Sequence, residues 1–368
     1  MPDPSPPRIS DPNLKAEKVI TGLKLPTSMQ FLDHDNFLIL EKNGKVRLVS
    51  NGTLQPQPIF QAVVRNESER GMLGIAIANT NIAKKTVFLY YTESDGDQTK
   101  NRIYRYDWDG TGKLTGGTRI LDLPGEPGPN HDGGKIRIGP DGMLYAVIGD
   151  LNRNGMLQNF KNGPPPDNTS VILRVNREGK SPNGTSMYAY GIRNSFGLAL
   201  DPKTGKLWDT ENGPADYDEI NIVTPGFNSG WEQVMGPIGR TGKTVDRLVQ
   251  LDGSHYADPL FSWRQARGLT DIEFLNSTKL GDKYAYNIFV GDIKNGNLYF
   301  FKVNQDRTGL ELVGTGLQDR VADNNAESEA VTLGTGFGGI TDIETGPDGY
   351  LYILTYSGNL YRIVPATS

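Results

Sequence analysis

Six stretches of this chain repeat one local pattern, and that repetition restricts the fold more than any single residue does. Ser28 to Val49, Thr86 to Trp108, Ile136 to Asp150, Leu198 to Gly213, Asn287 to Val303 and Ile343 to Val364 all follow it. Each alternates apolar and polar side chains, turns on Asp, Asn, Pro or Gly, and runs on into a second strand rich in Leu, Tyr, Val and Ile. Alternation of period two around a tight turn is the mark of a β-hairpin. A parallel β/α architecture needs amphipathic helices of about ten or more residues between strands. The sequence contains no such segment. Copies of a small meander without helices between them predict an all-β fold, a six-bladed β-propeller.

Composition agrees: 45 glycines and a good supply of Tyr and Phe suit many short strands joined by tight turns. The expected organisation is one propeller over residues 17–368, preceded by a disordered Pro-rich leader, residues 1–16. Ligand chemistry is expected where the blade loops converge on the axis.

Several function classes fall away. A formal net charge of −5, with scattered lysines and arginines, opposes binding to a nucleic acid backbone. The chain has no cysteine, which removes disulfides, thiolate metal sites and cysteine nucleophiles. No stretch approaches the roughly 20 apolar residues that span a bilayer.

Chemistry-bearing residues gather in three places: Asn130-His131-Asp132-Gly133-Gly134 with Gly149-Asp150, Tyr190 to Pro202, and Trp208 to Trp231. Each has a plain structural reading, the histidine as a loop hydrogen-bonder and the Gly-Asp pair as a turn. Asp216, Asp218 and Glu219 beside Gly213-Pro214 read either as a solvated acidic loop or as hard oxygen ligands for calcium. Their spacing is not that of an EF-hand.

Five strings together carry a resemblance: LPTSMQFL, ERGMLGIAI, NHDGGKIRIGPDGMLYAVIGD, YGIRNSFGLALDPKTGKLWDTENGP and DEINIVTPGFNSGW. The chain resembles the soluble quinoprotein aldose (glucose/sorbosone) dehydrogenases from about Leu23 to Val364. The resemblance implies a six-bladed propeller that binds pyrroloquinoline quinone (PQQ) and calcium and oxidises aldoses at the anomeric carbon to lactones. It puts His131 at the general base, Asp150 at the carboxylate that orients it, and Arg193 and Asn194 against the quinone oxygens. Glu69 and Lys294 fall at further cofactor contacts. Gly213 and Pro214 match carbonyl ligands of the cofactor-side calcium, and Asp218 and Glu219 match a second, structural calcium site.

The same comparison exposes departures. The family carries two arginines before an aspartate near its C-terminus, where they pair with cofactor carboxylates. This chain reads GFGGITDIETGPDG, with Gly339 and Thr341 at those positions. Arg264 and Arg267, in SWRQARG, are the candidate replacements. Ser229 stands where relatives carry an aromatic residue at the second metal site.

Besides the dehydrogenase, two other readings stay open: a non-catalytic propeller that binds a carbohydrate or a protein, and a calcium-dependent lactonase. Retention of His131, Asp150 and Arg193 favours oxidation, whereas loss of the arginine pair favours the binding protein. Partners under the first reading are an aldose and an electron acceptor of unspecified identity, with the chain a monomer or homodimer. The family further implies an extracytoplasmic location.

Overall fold

The computed structural model describes residues 6–79, 85–110, 112–182, 184–312 and 316–366. The strands group into six sheets, each built on an antiparallel meander. The innermost strands are Pro26–Phe31, Met72–Asn79, Ile136–Ile138, Gly197–Leu200, Leu269–Phe274 and Ile340–Thr345. Each packs against the innermost strand of the next sheet, and the last returns to the first. The molecule is therefore a β-propeller, as its repeats predict. Among the described residues the one α-helix is Asn325–Glu329, whose cap residue Asn324 accepts the Glu327 N–H at 3.1 Å.

The repeats owe their apolar second strands to this stacking. Leu144–Ile148, Leu207–Glu211, Ile288–Asp292 and Leu351–Thr355 are buried along their whole length, because neighbouring sheets cover both faces. One inter-sheet cluster joins Trp208, Phe261, Trp263, Phe274, Tyr299 and Phe301. Trp208 meets Phe274 edge to face at 5.5 Å, and Phe261 meets Trp263 at 4.8 Å. Burying a large apolar side chain of this kind contributes about 1.5–3 kcal/mol.

The N-terminal region departs from expectation. Leu14–Ile20 pairs antiparallel with Leu360–Pro365 and closes the ring, and Arg8–Ile9 pairs with Thr335 and Gly334. Order thus begins well before residue 17, and of the expected leader 1–16 only residues 1–5 lie outside the described residues. The prolines around LKAEKVI mask a strand that buries Leu14 and Ile20. Its partner is some 340 residues away, too distant for local pattern to reveal.

An ionic network fills the axis. Lys135 Nζ lies 2.9 Å from Asp271 and also binds Asp342, while Asp342 accepts the Ser28 hydroxyl at 2.7 Å. Two residues further on, within Ile136–Ile138, Arg137 binds Glu344 and lies 3.6 Å from Glu273. These contacts tie four of the six inner strands together in the low-dielectric centre, where unpaired charge is expensive.

Candidate active site

The largest concentration of the sequence-predicted residues surrounds one axial cavity of about 360 Å³. Its lining includes Glu69, His131, Arg193, Asn194, Lys294, Thr341, Gly213 and Asp218. Loops from opposite ends of the sequence meet there because all six inner strands deliver their ends to the axis.

His131 is placed by backbone geometry. It sits in the left-handed region (φ 66°), and the following Gly134 has φ 107° with Leu73 Cβ only 2.5 Å from where its own Cβ would be. Gly149 is under a tighter constraint: a Cβ there would lie 2.4 Å from the His131 carbonyl and 2.6 Å from that of Arg193. Only glycine lets these three loops touch. The Asp150 N–H then donates to the Arg193 carbonyl at 2.9 Å.

The His131 side chain is 11% exposed. Its Nδ1 is 2.6 Å from Asp150 Oδ1, and Asp150 Oδ2 accepts Trp231 Nε1–H at 2.8 Å. A carboxylate accepts, so in the neutral ring Nδ1 carries the proton and Nε2 offers its lone pair. Glu69 Oε2 accepts the His131 N–H at 2.6 Å and the Asn194 amide at 3.1 Å, joining the histidine loop to the Arg193-Asn194 loop.

Arg193 stacks over Trp231, its guanidinium carbon 5.1 Å from the ring centre. Its Nη1 donates to the Asn212 carbonyl at 2.8 Å and the Gly213 carbonyl at 3.2 Å. Burial lowers its pKa from the ordinary arginine value, opposed by Asp150, Glu211 and Glu69. The Gly213 carbonyl thus already faces a cation, which is the chemistry a calcium ligand needs. Pro214 is exposed at the adjoining turn, outside the cavity lining.

The second calcium pair is not brought together. Asp218 and Glu219 are consecutive on Asp216–Val223, so their side chains leave opposite faces of the strand. Asp218 is spent on backbone: Gly213 N–H at 3.0 Å, Gly268 N–H at 2.7 Å and the Arg267 N–H. Glu219 instead pairs across the sheet with Glu211, whose neighbour Asp209 is also buried. The one group that opposes the effect of burial on the Asp209 carboxyl is the Asn221 amide across the sheet, which carries no charge. Burial pushes Asp209 and Glu219 well above the carboxylate range and Glu211 to about 7. Oxygen donors without a counter-charge suit a hard cation. Among the described residues, though, no three acidic or histidine side chains converge as a ready metal centre.

Two expected replacements for the missing arginines also fail. Arg264 is 59% exposed and lies 3.8 Å from Asp323. Arg267 is buried but donates to Asn325 Oδ1 at 2.9 Å and Ser328 Oγ at 2.7 Å. Arg264 ends the strand Phe261–Gln265, which pairs with the outer strand Val321–Ala322, and Arg267, though its backbone neighbours Ala266 and Gly268 line the cavity, sends its side chain to Asn325 and Ser328 instead. Ser229 donates its hydroxyl to Glu211.

Sequence reasoning assigned no role to Trp231, Lys42 or Lys135. Trp231 closes the string FNSGW, so the signal was present, but its contact with Asp150 spans 81 residues.

The axial cavity of this β-propeller thus joins a carboxylate-oriented histidine to arginine and lysine in a space of small-molecule size. The sequence profile of the Glucose / Sorbosone dehydrogenase family matches residues 23–362, and the chain belongs to that family. It is 26% identical over 357 residues to aldose sugar dehydrogenase YliI of Escherichia coli, covering 92% of this chain and 90% of that one. Against quinoprotein glucose dehydrogenase B of Acinetobacter calcoaceticus it is 29% identical over 259 residues, which cover 61% of this chain and 53% of that protein. The PQQ-bound aldose sugar dehydrogenase of Streptomyces coelicolor superposes with a TM-score of 0.72 at 22% identity, over 95% of this chain and 98% of that one.

Proposed function

We propose that this protein is a PQQ- and calcium-dependent aldose dehydrogenase, a six-bladed propeller with one blade per sheet, acting outside the cytoplasm. The observation that carries the reading is the His131–Asp150 pair, 2.6 Å apart, opening on a cavity that Arg193 and Lys294 also line.

His131 Nε2 takes the proton of the anomeric hydroxyl, and Asp150 holds the ring and stabilises the imidazolium that results. Pyrroloquinoline quinone, held with calcium, would supply a two-electron acceptor for the hydride of the anomeric carbon. Loss of that proton and hydride converts the hemiacetal to the lactone. Arg193 and Asn194 would lie against the quinone oxygens, with the arginine ready to balance negative charge. Gly213, with Pro214 beside it, would hold the cofactor-side calcium through carbonyls. Glu219 would serve the second calcium with Glu211, in place of the Asp218–Glu219 pairing.

The test is titration of PQQ into the calcium-loaded protein, followed by dye-linked oxidation of a panel of aldoses. His131→Ala should lower kcat by about 10²–10⁴, with PQQ affinity and folding retained. Unchanged turnover in that variant would remove His131 as the base. One observation favours a second reading, a non-redox carbohydrate-binding propeller: the cavity wall at Thr341, with Gly339 two residues before it, carries no charge. Failure of the wild-type protein to bind PQQ would select it.

A further inference from the structure

Among the described residues, four cationic side chains line the axial cavity: Lys42, Lys135, Arg193 and Lys294. Lys135 is committed to Asp271 and Asp342, and Arg193 to two backbone carbonyls. Lys294 has a long bond to the Ala266 carbonyl at 3.3 Å. Lys42 donates to the Asn66 carbonyl, using one of three ammonium donors.

Position singles out Lys42. The uncharged wall belongs to the sixth sheet, whose inner strand Ile340–Thr345 packs against Pro26–Phe31 of the first. The Lys42 N–H donates to the Leu25 carbonyl at the head of that first-sheet strand. On the other flank, Gly339 lies against Ile293, the residue before Lys294. A Cβ at Gly339 would come 3.0 Å from the Ile293 carbonyl. The uncharged wall is thus bracketed by a lysine from each adjoining sheet.

Burial adds a physical reason. It lowers the Lys42 pKa from the ordinary lysine value, against the opposing pull of Glu67, Asp132 and Glu69. A half-desolvated ammonium gains more from an incoming anion than a hydrated one does.

We propose that Lys42 binds a carboxylate of the anionic aromatic cofactor, supplying, with Lys294, the positive charge that the wall at Thr341 lacks. The assignment rests on the quinone reading. A lysine offers a point charge where an arginine would offer a two-pronged grip, so the contact is less directional.

The experiment is calorimetric titration of PQQ into the calcium-loaded wild type, Lys42→Met and Lys42→Arg, at two salt concentrations. Thermal unfolding of each variant checks its fold. Lys42→Met should raise Kd about tenfold or more and reduce the salt dependence of binding. Lys42→Arg should stay within about threefold of wild type, since it keeps the charge. Wild-type affinity and salt dependence in Lys42→Met would overturn the assignment while leaving the quinone reading standing. Absence of binding by the wild type would overturn both.

Discussion

At the scale of single residues, the site depends on what holds each group in place. Asp150 gives one oxygen to His131 and the other to Trp231, whose ring also carries Arg193. Asp150→Asn would keep the shape, but its amide can donate to Nδ1 and so move the ring proton to Nε2. A base in that tautomer has no lone pair for the substrate. We expect kcat to fall about 100-fold or more while the calorimetric Kd for PQQ is retained. Retained kcat would mean that Asp150 does not set the tautomer. His131 and Asp150 were legible because they sit in compact strings with unusual residue types. The partners of Arg264 and Arg267 were not, since a residue number says nothing about whether a strand end faces the axis or the rim.

At the scale of elements, the close contact of three loops at Gly149 is decisive. Gly149→Ala must push apart the His131 and Arg193 carbonyls, a crowding that costs about 1–3 kcal/mol. The variant should unfold at a lower temperature, and its kcat/KM should drop by more than its loss of stability explains. Wild-type values for both would show that the loops have slack. The hairpins themselves were readable from alternation and turn residues, as in IRIGPDGMLYAVIGD. The closing strand Leu14–Ile20 was not, because it has no hairpin partner in sequence and stands beside a Pro-rich segment. Asp218 and Glu219 make the same point in miniature: adjacent in sequence, they occupy opposite faces of one strand.

At the scale of the whole molecule, the axial network makes stability depend on pH. Burial, reinforced by Glu344 and opposed by Arg137, pushes Glu273 from 4.5 to about 8. A carboxyl raised on folding binds its proton more tightly in the native state. Its contribution is complete below the unfolded value and is lost as pH climbs through the folded one. Asp271 is raised in the same direction, by burial first, whereas Asp342 is held down to about 2 beside Lys135. The melting temperature should therefore decline between about pH 5 and 9. Glu273→Gln should flatten that decline, and an unaltered slope in the variant would place its origin elsewhere.

The sequence alone determined the β architecture, the repeat and the strings that hold His131 and Asp150, because these reside in local alternation, turn chemistry and short contiguous segments. Tertiary structure alone decided which strand closes the ring, which cations reach the cavity and which carboxylates share a face. Those outcomes depend on contacts between residues tens to hundreds of positions apart, and on the period-two geometry that sends neighbouring side chains in opposite directions.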